Sequence, residues 1–402
     1  MIKDFEKKIR AYALKNALAH EGVAMQSPVV SSLFNEGLKP GEVGKYAKKI
    51  SEIILEVNSL SAEEQEKEFA KLEKKVHERE VREGIPEIPN VPKTGVVMRF
   101  RPAPSGPLHV GHIISNMICS LYVKKYGGRF YVIIDDTDPE TTVLEAYENI
   151  KRDCDWIFGN VNEYLNASDR MPLYYKYAEK LIEKKSVYVC TCEQEKFKKF
   201  IDKKKDCPCR KNSIKENTER WEKMLDKDKG FKEGDAVLRF KSDMKDKNPA
   251  MRDFPLARIN SHKHALQRSK YRVWPLMNLA VSVDDIELKM THIIRGKDHM
   301  DNAKRQEMIY KVLNKKFPWT FFMGRFKFAD LVLSKRKINE AIKSGKFSGI
   351  EDKRIPTIAS LKKRGYKREA FAKFAEHQGL NDVDKVMSGD EFFKLLNHFN
   401  KQ

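Results

Sequence analysis

Two rhythms of apolar and polar residues alternate along this chain. The first is helical. In "KPGEVGKYAKKISEIILEVNSL" the residues Val43, Tyr46, Ile50, Ile53, Ile54 and Val57 recur at the spacing that lines one face of a helix. The opening "MIKDFEKKIRAYALKNALAH" is charged from its third residue and also reads as a helix. Ser61 followed by Glu64 predicts a capping box for the next one. This grain runs to about residue 82, and Pro86, Pro89 and Pro92 in "GIPEIPNVPKTG" then predict a linker.

The second rhythm alternates strands with helices. "GVVMRF" and "RFYVIIDDTD" read as buried strands with the helical "IISNMICSLYVKKYGG" between them, a βαβ crossover of the kind that builds a parallel sheet. From about 183 to 270 the rhythm gives way to a Cys-bearing, Lys-rich insertion. Strand-like signals return at "AVSVDD" and "MTHIIRG", and helices dominate beyond about 336.

Size and charge narrow the function. A chain of 402 residues exceeds one ordinary core, which predicts about two to four domains. Lys and Arg outnumber Asp and Glu by 78 to 58, a net charge of +20, so a polyanionic partner is expected: nucleic acid or an anionic membrane surface. No apolar run approaches the roughly 20 residues of a spanning helix. The N-terminus lacks the pattern of a signal peptide, and the expected compartment is the cytoplasm. Cys119 and Cys154 stand alone, whereas Cys190, Cys192, Cys207 and Cys209 form two close pairs. Four thiolates so spaced suit a structural zinc better than four free thiols, and they leave no open position for a catalytic metal.

The richest stretch is "VVMRFRPAPSGPLHVGH", residues 96 to 112. A strand that feeds a loop and then a helix aims backbone N–H groups and the positive end of the helix dipole into one space, which makes a phosphate site. Pro102, Pro104 and Pro107 stiffen the loop, while Ser105 and Gly106 let backbone approach a ligand. His109 and His112, three apart on the first helical turn, would face the phosphates. Taken alone, the pair also reads as two surface histidines at an ordinary helix start.

The pair is not alone. "RFRPAPSGPLHVGH" followed by "IDDTDP", "HIIRGKDHMDNAKRQ", "LSKRK" and "SGIEDKRIPTIASLKKRGY" resembles the class I aminoacyl-tRNA synthetases, in the archaeal and eukaryotic form of their glutamyl/glutaminyl branch. The resemblance covers nearly the whole chain. It implies an α/β fold with a Rossmann-like core. The parts would be a helical extension and linker (1–92), a first core half (93–182), a zinc-bearing insertion that binds the tRNA acceptor end (183–270), a second core half (271–335) and a helical tRNA-contacting region (336–402).

The same resemblance assigns residues. ATP with Mg2+ would lie against Pro104, Ser105, Gly106, His109, Gly111, His112, Ser334 and Lys335, with His109, His112 and Lys335 stabilising phosphoryl charge. Arg99 and Arg295 would meet the amino-acid carboxylates, Asp135 its ammonium group, and Met277 its side chain. Asp352 and Arg354 would touch tRNA. The implied activity is ligation of glutamate to tRNA.

Several positions depart from the family pattern. Met277, Asn278 and Leu279 stand where a Tyr-Asp-Phe is usual, Ile133 replaces an arginine two residues before the acid, and Ile350 replaces a tryptophan. The sequence also ends where the family continues into anticodon-reading β-barrels. That leaves three readings open: a shortened chain, a separate anticodon-binding subunit, or tRNA recognition through acceptor and elbow contacts alone. A synthetase-like enzyme with a changed amino acid or acceptor (glutamine, or a modified tRNA base) is one competing reading, and a non-catalytic tRNA-binding protein is another.

Overall fold

The computed structural model describes residues 4–76, 84–331 and 333–401. The chain divides into two compact units, residues 1–82 and 83–402. In the first, four helices, α1 (Phe5–Ala19), α2 (Gln26–Phe34), α3 (Val43–Asn58) and α4 (Ala62–Leu72), enclose Ile9, Leu14, Leu33, Ile50 and Val57. The stripe expected on α3 is the buried one. Ser61 and Glu64 form the expected capping box: the Ser61 N–H donates to Glu64 Oε2 at 2.8 Å and the Glu64 N–H to Ser61 Oγ at 3.4 Å.

The second unit is built on a parallel sheet. β1 (Val96–Phe100), α5 (Val110–Tyr126), β2 (Gly128–Ile134), α6 (Leu144–Phe158) and β3 (Glu163–Asn166) give the strand order β1-β2-β3, with Val96 beside Gly128 and Phe100 beside Val132. Strand alternation divides the packing between two cores. Phe130, Val132 and Ile134 face one core with Val96, Met98 and Phe100, while Tyr131 and Ile133 face the other. Both faces are covered, as a parallel sheet requires. Ile85 and Ile88 of the proline-rich segment are buried in the first core, and the Tyr122 hydroxyl donates to the Pro86 carbonyl at 2.8 Å, so this linker is a packed one.

The chain leaves the sheet through α7 (Met171–Glu183) into an antiparallel sheet of β4 (Val187–Cys190), β5 (Val237–Phe240), β6 (Pro255–Ile259) and β7 (Val273–Pro275). That sheet carries α8 (Gln194–Asp202) and α9 (Ile214–Leu225). It returns through α10 (Met277–Glu287). "AVSVDD", read from sequence as strand-like, lies inside this helix. Residues 278–285 are buried all round, and such a run lacks the polar face whose period separates helix from strand.

Next come β8 (His292–Gly296), α11 (Met300–Val312) and β9 (Trp319–Met323), β8 and β9 being parallel. Thr291, just ahead of β8, ties this pair to the free edge of β1: its N–H donates to the Val97 carbonyl at 3.0 Å and its hydroxyl accepts from the Val97 N–H at 2.9 Å. The last stretch carries β10 (Phe326–Phe328), α12 (Lys335–Lys343), α13 (Ile358–Lys363), α14 (Arg368–Gln378), β11 (Lys385–Met387) parallel to β10, and α15 (Gly389–Lys401).

One glycine sets the start of the β1–β2 ladder. Gly128 has φ +113°, and a Cβ there would lie 2.0 Å from the Val96 carbonyl oxygen. Gly128→Ala should therefore destabilise the second unit by about 3 kcal/mol, the scale of a buried clash added to a strained backbone. Urea unfolding followed by tryptophan fluorescence checks this, since all four tryptophans lie at or beyond residue 156.

Candidate active site

The carboxyl ends of β1, β2 and β8 converge with the first turn of α5 on a cleft of about 600 Å³, the position where open parallel sheets bind ligands. Arg99, Gly111, His112, Asp135, Met277 and Arg295, all singled out in the sequence, line it. Alternation explains part of this: Arg99 and Arg101 leave β1 on the face opposite Met98 and Phe100, and Asp135 leaves β2 on the same face as Ile133. Against that face α10 sets two consecutive acids, Asp284 and Asp285.

Each acid takes a different arginine. Asp285 binds Arg99 through both oxygens, at 2.5 Å from Nε and 2.9 Å from Nη2. Asp284, fully buried, accepts from Arg101 Nη1 at 2.5 Å, Arg170 Nε at 2.6 Å and the Tyr174 hydroxyl at 2.7 Å. Arg101 also reaches Asp135, Nε to Oδ2 at 2.9 Å. Burial pushes the Asp135 carboxyl up, but the charge and hydrogen bond of Arg101, joined by Thr137, outweigh that and hold it below the usual carboxylate range.

Arg295 differs from both. It donates to Gln306 Oε1 at 2.8 Å, and Gln306 in turn donates to Asn278 Oδ1 at 3.4 Å. Among the described residues no carboxylate lies within ion-pair distance of it. Burial and the neighbouring Arg99 pull its pKa down to about 10, leaving it still charged at neutral pH. Arg295 is thus a half-buried cation whose hydrogen-bond partner among the described residues is the Gln306 carboxamide.

The histidines stand at the mouth of α5, their ring centroids 3.7 Å apart. The His109 backbone N–H donates to His112 Nδ1 at 3.2 Å, which leaves the His112 proton on Nε2. Burial, then the charge of Lys335, lowers His109 to about 3; burial and His109 hold His112 well below its usual value. Both are neutral at pH 7 and act as hydrogen-bond donors rather than cations. His112 lines the cleft, whereas His109 packs behind it with its Nδ1 unpartnered among the described residues.

The "LSKRK" loop closes over the other side of this turn. Ser334 caps α12, its hydroxyl accepting from the Lys337 N–H at 3.4 Å. Lys335 Nζ donates to the Ala103 carbonyl at 2.7 Å, and Asn339 Nδ2 to the Ser105 carbonyl at 3.0 Å. Gly106 permits that approach, because its φ is +152° and a Cβ would sit 3.0 Å from Asn339 Nδ2. Burial lowers Lys335 to about 8. A smaller cavity beside the cleft is lined by Ser105, Lys335, Arg336 and Asn339; Pro104 receives the Val143 N–H on its carbonyl at 2.9 Å and lines neither cavity.

Asp352 and Arg354 are not part of the cleft. The Asp352 carboxylate accepts from Arg354 Nε at 2.9 Å and from the Ser348 N–H at 2.9 Å, which spends it on shaping its own loop. Arg354 remains 63% exposed, with its guanidinium 5.1 Å from the Phe347 ring centroid. Beyond this loop, Ile358 donates to the Leu108 carbonyl at 3.0 Å and Val110 to the Pro356 carbonyl at 3.2 Å, so the C-terminal helices brace the histidine turn.

A family profile described as tRNA synthetases class I (E and Q), catalytic domain, matches residues 95–398. This chain belongs to that family. It is 41% identical over 391 residues to the glutamate–tRNA ligase of Methanocaldococcus jannaschii, covering 97% of this chain and 70% of that protein. It is 39% identical over 401 residues to that of Thermococcus kodakarensis, covering 97% and 69%. Among solved structures, a glutamate tRNA ligase from Elizabethkingia meningosepticum shares the fold, with a TM-score of 0.54 at 19% identity over 76% of this chain and 69% of that one.

The insertion of this class I chain gathers its four paired thiols. Ligand atoms of Cys190, Cys192, Cys207 and Cys209 all lie within 4.8 Å of one another. The Sγ separations of 3.6 Å (Cys190–Cys207), 3.4 Å (Cys192–Cys207) and 3.9 Å (Cys192–Cys209) approach the edge of about 3.8 Å in a tetrahedron with metal–sulfur bonds of about 2.3 Å. The four residues fit a zinc ion with no position left for substrate. The purified chain is expected to carry about one zinc. Cys207→Ser should lose it and melt earlier, as read by elemental analysis and a melting scan.

Several members of the cleft escaped the sequence reading. Arg101 lay within a quoted motif but was given no role. Asp284, Asp285 and Gln306 carry no local signal, because a buried acid on a helix becomes significant only when strand alternation points an arginine at it. Asn339, four residues past Lys335, was legible as the same face of one helix.

Proposed function

We propose that this chain ligates glutamate to tRNA in two steps, with ATP as the activating substrate. The observation that carries this reading is Arg295, a half-buried cation in the cleft with no carboxylate of its own among the described residues. Glutamate brings two carboxylates and one ammonium group to a cleft that offers Arg295, the Nη1 edge of Arg99 and the Asp135 carboxylate. Glutamine lacks the second charge and would leave a desolvated arginine unpaired, which is the basis of strong rejection. The relatedness at about 40% identity over nearly the whole chain supports the same substrate.

In the first step the glutamate α-carboxylate attacks the α-phosphorus of ATP, which enters with Mg2+, and pyrophosphate leaves. His112, neutral with its proton on Nε2, donates to a phosphoryl oxygen, and His109 supports it from behind. Lys335, drawn toward the Ser105–Gly106 turn, supplies positive charge to the departing pyrophosphate. In the second step a terminal ribose hydroxyl of tRNA attacks the activated carbonyl and AMP leaves. Positioning and electrostatics carry the chemistry, since no covalent enzyme intermediate is needed. The net charge of +20 suits a partner held through many phosphates. We assign this work to the cytoplasm, whose reducing environment suits four paired, unoxidised thiols.

Two measurements test the reading. Charging of a tRNA pool should occur with glutamate and not with glutamine. Arg295→Gln should cost about 3 kcal/mol, roughly a hundredfold in kcat/KM for glutamate. Charging with glutamine alone would overturn the assignment. In pyrophosphate exchange, kcat/KM for ATP should fall as pH rises through about 8, where Lys335 loses its charge. No acid limb should arise from the histidines between about pH 5 and 7, since both are already neutral there. Lys335→Arg, charged throughout, should abolish the alkaline fall while lowering the rate.

A further inference from the structure

Arg101 is the least conspicuous arginine in the chain and the most enclosed one in the cleft. Its side chain is 4% exposed and divided between two carboxylates. One of them, Asp284, also takes Arg170 and the Tyr174 hydroxyl, so it is an anchor that cannot swing. The other, Asp135, is 17% exposed, opens on the cleft, and is held besides by Thr137, whose hydroxyl donates to it at 3.0 Å. The second fork nitrogen of Arg101 stands 3.5 Å from Asp135 Oδ1, leaving that oxygen mainly to Thr137 and to whatever enters.

No cation reaches Asp135 from its own strand. The residue two before it shares its face of β2, and that residue is Ile133, fully buried among apolar neighbours. The charge arrives instead from the loop after β1. Resting on the glutamate reading above, we propose that Arg101 is a positioning residue for amino-acid activation: anchored on Asp284, it holds the Asp135 carboxylate aimed at the substrate ammonium group.

The physical argument has two parts. An aspartate at a strand end can rotate away from its ligand, and a guanidinium fork fixed at its far side removes that freedom. A buried aspartate without a cation also drifts toward its neutral form, which cannot hold an ammonium group. The charged and titratable groups around it are Arg101 after β1, Tyr174 and Arg170 near α7, Asp284 and the Arg99–Asp285 pair against α10, and Arg295 on β8. Of these, Arg101 alone makes a hydrogen-bonded ion pair with Asp135 among the described residues.

The test compares the wild type with Arg101→Lys, Arg101→Met and the double variant Arg101→Met/Ile133→Arg, each checked for folding by a melting scan. Glutamate-dependent pyrophosphate exchange is followed with tRNA present, and KM is measured separately for glutamate and ATP. Arg101→Met should raise KM for glutamate by about 10- to 100-fold, the loss expected of a charge-assisted hydrogen bond, with KM for ATP nearly unchanged. The excess should grow as pH falls from about 8 to about 6, because the unpaired Asp135 then takes up a proton. Ile133→Arg, which returns a cation to the same face, should recover most of the loss. If Arg101→Met does not fold, Arg101→Lys carries the comparison, with a smaller shift of the same pH slope.

A glutamate KM that does not move, that moves together with the ATP KM, or that shifts without pH dependence would overturn the proposal. So would a folded double variant that repairs nothing. A wild-type chain that fails to activate glutamate overturns instead the reading beneath it, and that result is visible before any variant is compared.

Discussion

The cleft depends on a matching of buried charges between one strand and one helix. Strand β1 and the residue just past it deliver Arg99 and Arg101 to one face, and α10 meets them with Asp285 and Asp284. An unpaired buried charge costs several kcal/mol; Arg99 is met by Asp285, and Asp284 is shared by Arg101, Arg170 and the Tyr174 hydroxyl. The pairing therefore fixes where α10 lies on the sheet. It also fixes Met277 at the helix start as part of the cleft wall and Asn278 as the end of the carboxamide line to Arg295. Arg295 stays outside these ion pairs, with Gln306 as its hydrogen-bond partner.

Much of this was legible in the sequence. Helices before about residue 82 were expected from a stripe of apolar residues and a capping box, and α1 to α4 lie there. The βαβ crossover followed from two buried runs about one helix, and the thiol cluster from spacing alone. Those features are local, which is why pattern reading reaches them. The carboxyl-end location of the site followed from the strand-to-helix motif that carries both histidines, and the resemblance to class I synthetases agrees with the family that the chain matches.

What was not legible is the pairing that connects distant segments. Asp284 and Asp285 sat in a run that looked like a strand, since a fully buried helix and a buried strand share one composition. Ile133 looked like a lost arginine, and Arg101 was given no role. Only the geometry shows that a guanidinium reaches Asp135 from the loop after β1. The histidines were expected to face phosphates; of the two, His112 lines the cleft and His109 does not. Asp352 was expected at tRNA, and in the structure its carboxylate accepts from Arg354 and Ser348.

The order of strands has a consequence for how this protein comes into being. The edge of β1 is closed by Thr291, 194 residues further along the chain. During synthesis from the N-terminus, β1, β2 and β3 emerge first, and the ribosome must then produce the whole antiparallel insertion and α10 before that edge is covered. Over this interval a strand edge and the Arg99–Arg101 face stand open, without Asp284 or Asp285 to meet them. Long-range parallel pairing of this kind folds slowly and leaves edges available to wrong partners. Arg99 lies on that strand and Arg101 just past it, and charge at an open strand edge disfavours wrong pairing.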